Sequence, residues 1–152
     1  MTDSKTIATT RADALARTHF RMGWWTLFAF LALGFALEAF HGLKSDYYLN
    51  VANQTRRLMW TLAHAHGALL GLVHIGLAST IRSFDGWPDK ARTLASRSLI
   101  GGTVLLPGGF FLGGVFLHAG DPGLGILLVP PGALLLLLTA FLAARAASGV
   151  GS

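Results

Sequence analysis

The chain has 152 residues, with 12 Lys and Arg, 7 Asp and Glu, 6 His and no Cys. Hydrophobic residues make up 53% and charged residues 12%, whereas an average soluble domain is roughly 25% charged. This composition excludes an ordinary soluble domain, and it also excludes a disordered chain, which needs low hydrophobicity. Because cysteine is absent, disulfides, thiolate metal sites, iron–sulfur clusters and cysteine nucleophiles are excluded as well.

Charged residues divide the chain into four long apolar stretches. The predicted spans are residues 22–43, 58–81, 98–119 and 123–145, and Glu38 is their only charge apart from the terminal Arg145. A helix needs about 20 apolar residues to cross a bilayer core of about 30 Å. None of the stretches has the polar face of a helix in a soluble bundle. We therefore expect an all-α integral membrane four-helix bundle that forms one domain over residues 22–147.

Most Lys and Arg residues fall on one side of these spans. Nine lie in the N-terminal tail, the second loop and the C-terminus, and three lie in the first loop. The positive-inside rule then places both termini in the cytoplasm, and we expect a plasma (inner) membrane protein. Residues 1–21 are predicted to be a cytoplasmic tail in which 8–21 could form an interfacial helix, and 148–152 a short C-terminal tail.

This charge placement also bears on partners. The basic residues fit membrane topology and contact with anionic lipid better than nucleic acid. We therefore expect the lipid bilayer as a partner, together with other membrane subunits or further copies of the chain, and no nucleic acid.

The histidines carry most of the chemical information. His19 lies in the polar tail and is expected to be solvated. The other five lie in or beside the predicted spans, where polar groups are costly and usually face the bundle interior. Since successive spans run in opposite directions, the outer leaflet is expected to contain a cluster of side chains. Its members are Glu38, His41, His64, His66 and His118.

Helical phase separates the two histidines of the second span. At about 100° per residue, His64 shares one face with Gly67 and Gly71. His66 lies nearly opposite. An undistorted helix therefore cannot turn both imidazoles toward one ion, and we expect them to serve different sites on either side of this span.

The segment Trp60-Thr61-Leu62-Ala63-His64-Ala65-His66-Gly67 resembles the His-x-His helix in subunit one of haem-copper oxidases and nitric oxide reductases. In that family the two histidines point to opposite sides of one helix and ligate two different haems. Only His64 and His66 carry over. The family's His-Pro-Glu-Val-Tyr segment and its paired His-His copper ligands have no counterpart here. The resemblance therefore implies a haem-ligating helix and not an oxygen-reducing centre.

Three kinds of function follow from the cluster. The leading expectation is haem or a single transition-metal ion, for electron transfer or as part of a respiratory-type complex. A haem would take its ligands from His64, His66, His41 and His118, and a lone Fe, Cu or Zn ion from Glu38, His41, His64 and His118. One alternative is a cofactor-free structural or accessory subunit whose histidines hydrogen-bond across helices. The other is a small proton or ion conductor. No catalytic residue is predicted.

Overall fold

The structure, a computed structural model, describes residues 2–49, 54–84 and 86–149. Its helices are α1 (Thr2–Gly42), α2 (Asp46–Leu49), α3 (Gln54–Ser83), α4 (Asp89–Val115) and α5 (Val129–Ala147), with a 3₁₀ helix over Leu124–Leu128 before α5. The described residues form no β-strand, so the all-α class is confirmed. Four of the helical segments are long and apolar enough to cross a membrane. Residues 150–152 of the predicted C-terminal tail lie outside the described residues.

Helix α1 begins well before the first predicted span. It is continuous from Thr2 to Gly42, so residues 8–21 belong to it and do not form a separate interfacial helix. This segment contains no Gly or Pro before Gly23 and is rich in Ala, which favours uninterrupted helix. Arg17 and Arg21 are exposed on this helix, while Ala16, next to Arg17, is fully buried. Arg17 and Arg21 therefore lie on the exposed face of α1 and do not mark its beginning.

The four long helices pack in a row. Helix α1 packs mainly on α3, α3 on α4, and α4 on α5, and within the described residues α1 and α5 do not touch. In the most apolar part of α4, 50% of the residues are buried, whereas the corresponding share is 11% in α1 and 11% in the segment that contains α5. The flanking helices therefore present broad apolar faces outward, which in α1 include Trp24, Trp25, Phe28 and Phe35.

Helices α1 and α3 approach closely along a stripe of glycines. A Cβ built at Gly71 would lie 2.8 Å from the backbone nitrogen of Leu27 and 3.0 Å from the carbonyl oxygen of Gly23. The two backbones are therefore almost in contact, as small residues spaced four apart permit. One turn earlier, Gly67 faces the ring of Phe30. This is the face of α3 on which the helical phase placed His64, Gly67 and Gly71 together.

The end of the bundle that carries Tyr48 and Trp60, here the Tyr48 end, is held by side chains that satisfy backbone carbonyls. Trp60 Nε1 donates to the carbonyl of Phe111 at 3.2 Å, and Arg56 Nε donates to that of Gly114 at 3.1 Å. Both carbonyls lie near the end of α4, and that of Gly114 is among the last four of the helix, which have no partner within it. The opposite end, the Trp87 end, contains the buried side chain of Trp87.

The third predicted span was placed too far along the chain. Helix α4 ends at Val115, not at residue 119, and a tight reversal follows in which His118 and Asp121 exchange backbone hydrogen bonds of 3.0 and 2.9 Å. Ala119 and Gly120 have φ of 52° and 91°. Two successive positive φ angles are typical of a type I′ turn, which glycine adopts readily.

The prolines act differently in the two later spans. Helix α4 continues through Pro107. Pro130 and Pro131 lie in the first turn of α5, where a missing backbone N–H costs nothing. The fourth span therefore changes at Val129 from a 3₁₀ helix to an α-helix.

Candidate functional site

A large open cleft lies between α1 and α3 at the Tyr48 end and has a volume of about 1020 Å³. It contains three members of the predicted cluster, Glu38, His41 and His64. Its other lining residues are Leu31, Gly34, Phe35, Leu37, Tyr48, Gln54, Thr55, Arg57, Leu58 and Thr61. Most of the α1 wall is apolar, and the α3 wall adds a cation and several hydroxyl and amide groups. The cleft thus combines an apolar body with a polar rim.

His64 is held in one tautomer by the backbone of α1. Its Nδ1 lies 2.6 Å from the carbonyl oxygen of Phe30. A carbonyl can only accept, so Nδ1 carries the proton and Nε2 of the neutral ring keeps a free lone pair. The ring lies against Gly34, where a Cβ would overlap it. His64 is therefore oriented in the way that metal-ligating histidines usually are, with one nitrogen fixed and the other available.

Glu38 and His41 lie further along the same face of α1. Glu38 follows Gly34 by four residues and His41 follows by seven, so both lie one to two helical turns from the His64 ring. Both side chains are exposed, and Glu38 has no ion-pair partner among the described residues. The imidazole of His41 meets the ring of Tyr48 edge-on, with centroids 5.4 Å apart.

The structure does not bring the other two predicted residues into this cleft. His66 points toward α4, where its ring lies 5.0 Å from that of Phe110, and its Nδ1 donates to the carbonyl of Leu62 at 2.8 Å. The predicted separation of His64 and His66 onto two faces is confirmed. His118 was expected within the helix of the third span, which is wrong, because it lies exposed in the turn beyond α4.

No compact ligand set for a bare metal ion is formed within the described part of the chain. There, no three His, Cys, Asp or Glu side chains are grouped so that they could hold one ion. A metal ion needs its donor atoms within about 2.0–2.3 Å. Glu38, His41 and His64 are instead spread along the cleft.

A second histidine site lies nearer the Trp87 end. His19 and His74 are fully buried, their rings stack with centroids 4.9 Å apart, and their Nδ1 atoms lie 2.7 Å from each other. His19 Nε2 lies 2.8 Å from Ser96 Oγ, and His74 Nε2 lies 3.0 Å from Thr103 Oγ1. The expectation that His19 is solvated is therefore wrong. This histidine pair joins α1, α3 and α4.

Donor and acceptor chemistry fixes the order of protons in the neutral pair. Thr103 Oγ1 donates to the carbonyl of Leu99 at 2.8 Å, so it must accept from His74 Nε2. Neutral His74 then has no proton on Nδ1 and accepts there from His19 Nδ1. His19 Nε2 in turn accepts from the hydroxyl of Ser96. Every ring nitrogen of the pair has a hydrogen-bond partner within the protein. The pair therefore links α1, α3 and α4 and leaves no ring nitrogen available to a ligand.

The sequence contained a signal for this pair. The residues of α1 that face α3 recur at spacings of three and four: Ala16, His19, Gly23, Leu27, Phe30, Gly34 and Leu37. Such a repeat marks one buried helix face. It passes through the charged tail without interruption. This spacing, unlike the distribution of charges, predicts that His19 lies on the buried face of α1.

Comparison with known proteins gives no relative. No protein-family model, curated protein or solved structure matches this chain. Functional inference therefore rests on the cleft, the histidine pair and the helices that position them.

Proposed function

We propose that this chain is a multi-pass protein of the plasma (inner) membrane, with both termini cytoplasmic, that binds haem in the cleft. The observation that carries the proposal is His64, whose Nδ1 is engaged by the Phe30 carbonyl at 2.6 Å and whose Nε2 has no hydrogen-bond partner among the described residues. An imidazole fixed in this way would be suited to hold haem iron through Nε2. Electron transfer, alone or within a respiratory-type complex, is the function that such a group would serve.

The size and lining of the cleft favour haem over a bare ion. Its volume of about 1020 Å³ is just above the range of about 300–1,000 Å³ that is usual for small-molecule sites. Leu31, Phe35 and Leu58 offer apolar walls to a porphyrin plane. Arg57 on the rim offers a cation to the carboxylates that a haem carries. A bare ion would leave most of this surface unused.

The residues present therefore fit a haem. His64 would hold the iron. Glu38 and His41, one to two helical turns away, would lie beside the haem and would not coordinate the iron. When bound, haem supplies one-electron chemistry. The chain itself supplies the ligand, the apolar walls and the charges at the rim.

The test is a dithionite-reduced minus air-oxidised absorption spectrum of the chain, purified in mild detergent from cells supplied with a haem precursor. We expect a Soret shift with sharp α and β bands, and we expect His64→Ala to lose them. A flat spectrum from the parent chain would contradict the proposal and favour a cofactor-free subunit or a conductor.

His66→Ala is the matched control, because it removes the same side chain from the same helix on the face away from the cleft. Full retention of the bands in His66→Ala indicates a single haem at His64. Loss of about half the bands in each variant would indicate a second haem on the α4 side, as the resemblance to the His-x-His helix implies. Retention of all bands in His64→Ala would refute His64 as ligand.

A further inference from the structure

A second pocket, of about 390 Å³, lies between the early turns of α1 and α4 near the Trp87 end. Arg11 of α1 and Lys90 and Arg97 of α4 line it, together with Asp89, Thr93 and Leu94. We name it the basic pocket. Within the described residues, none of its three cations forms an ion pair. Three cations from two helices, unpaired in the part of the chain that the structure describes, thus converge on one concave surface.

The single carboxylate of the basic pocket is already engaged elsewhere. Asp89 Oδ1 lies 3.3 Å from an Nη of Arg92, a side chain that is buried. The same guanidinium donates to the carbonyl of Trp87 at 2.7 Å. Asp89 is therefore tied to a fourth cation, and the charge facing the pocket is net positive.

The position of the basic pocket matches the level of lipid headgroups. Arg97 immediately precedes the charge-free stretch of α4, and Lys90 lies seven residues earlier, a rise of about 10 Å along the helix. The headgroup layer on each side of the apolar core is of similar thickness, roughly 5–8 Å. Leu94 is 47% exposed and offers an apolar contact beside the cations.

From this arrangement we propose that the basic pocket binds the phosphate of an anionic phospholipid. Arg97 and Lys90 contact the phosphate, Arg11 closes the pocket from α1, and the Thr93 hydroxyl provides a further donor. Leu94 packs against the start of an acyl chain. Charge-assisted hydrogen bonds from guanidinium groups are well suited to phosphate oxygens. The site is separate from the cleft and does not depend on haem.

Native mass spectrometry of the purified chain in detergent tests this proposal. Phosphatidylglycerol and phosphatidylcholine with the same acyl chains serve as probes. We expect tighter binding of phosphatidylglycerol, about fivefold weaker binding for Arg97→Gln, and a further loss of similar size for Arg97→Gln with Lys90→Gln, since each cation at a membrane surface contributes a factor of about five.

The matched control is Arg82→Gln. Arg82 is a cation of the same end, but its guanidinium lies 5.0 Å from the ring of Phe20 and outside the basic pocket. The Arg82→Gln variant should bind phosphatidylglycerol with the same affinity as the parent chain. Equal losses in Arg82→Gln and Arg97→Gln, or equal affinity for the two lipids, would overturn the proposal. Displacement of the lipid by millimolar inorganic phosphate would identify free phosphate as the ligand and would also overturn it.

Discussion

At the scale of single residues, His19 and His74 should be the most sensitive to substitution. Both imidazoles are fully buried, and all four ring nitrogens are hydrogen-bonded. A buried polar atom that loses its partner costs about 1–3 kcal/mol, whereas interhelical hydrogen bonds in membrane proteins contribute about 0.6 kcal/mol on average. The asymmetry predicts that removing both rings costs less than the sum of removing each ring alone.

We therefore expect His74→Leu to lower the free energy of unfolding by about 1–2 kcal/mol, because it leaves His19 Nδ1 without a partner. His19→Leu should have a similar effect, and the double variant should lose less than the sum. Unfolding in mixed micelles of mild detergent and dodecyl sulfate measures all three.

Ser79→Ala is a suitable control for this cycle. Ser79 is an exposed residue of α3 whose hydroxyl donates only to the carbonyl of Ile75 in its own helix, at 3.1 Å. Its replacement should change the unfolding free energy by less than about 0.5 kcal/mol. If the two histidine variants were additive and as mild as Ser79→Ala, the pair would have no stabilising role.

At the scale of the helix, Gly34 connects the packing of α1 to the orientation of His64. A Cβ at this position would overlap the imidazole ring, so Gly34→Ala should displace the ring from the carbonyl of Phe30. We expect a lower unfolding midpoint and, if His64 ligates haem, weaker or shifted α and β bands, although no ligand is removed.

Gly76→Ala provides the contrast to Gly34→Ala. Gly76 is also within a long helix, but a Cβ there meets nothing within 4 Å. Alanine is preferred over glycine in a helix by up to about 1 kcal/mol, so this variant should match or exceed the parent in stability. A Gly34→Ala variant that behaved like Gly76→Ala would show that the close contact with His64 is unimportant.

The apolar composition of the long helices made their number predictable from the sequence, but not the residues at which they begin and end. The four apolar stretches correctly predicted four long apolar helices, and the phase of α3 correctly separated His64 from His66. The span 22–43 misses the beginning of α1 because Arg21 bounds the apolar stretch, although this residue occupies one face of a helix that continues. The end of α4 was missed because the turn over His118–Asp121 depends on Ala119 adopting a positive φ, which its side chain disfavours.

The site was harder to predict for a related reason. Helical phase gives the direction of a side chain on its own helix but not which helix it meets. Glu38, His41 and His64 share a cleft because α1 packs on α3, and His118 is excluded because α4 lies on the other side of α3. That lateral order depends on contacts between distant segments, such as Gly23 against Gly71.

At the scale of the whole molecule, the row of helices leaves α1 and α5 exposed on opposite flanks. Their apolar faces, including Trp25 and Phe35 of α1 and Leu134 and Phe141 of α5, suit contact with lipid chains. Four crossings would place the two termini on one side and the cleft, at the Tyr48 end, on the other. The distribution of Lys and Arg predicts that the terminal side is cytoplasmic.

Because the chain has no cysteine, a single introduced cysteine reports its own side of the membrane. We expect Gln54→Cys, at the start of α3, to react with a membrane-impermeant maleimide in intact cells, and Ser148→Cys, beyond α5, to react only after permeabilisation. Both residues are exposed, so access and not burial decides the reaction. The reverse pattern would invert the orientation and place the cleft on the cytoplasmic side. Equal reactivity of both positions in intact cells would contradict an arrangement in which the first loop and the C-terminus are separated by the bilayer.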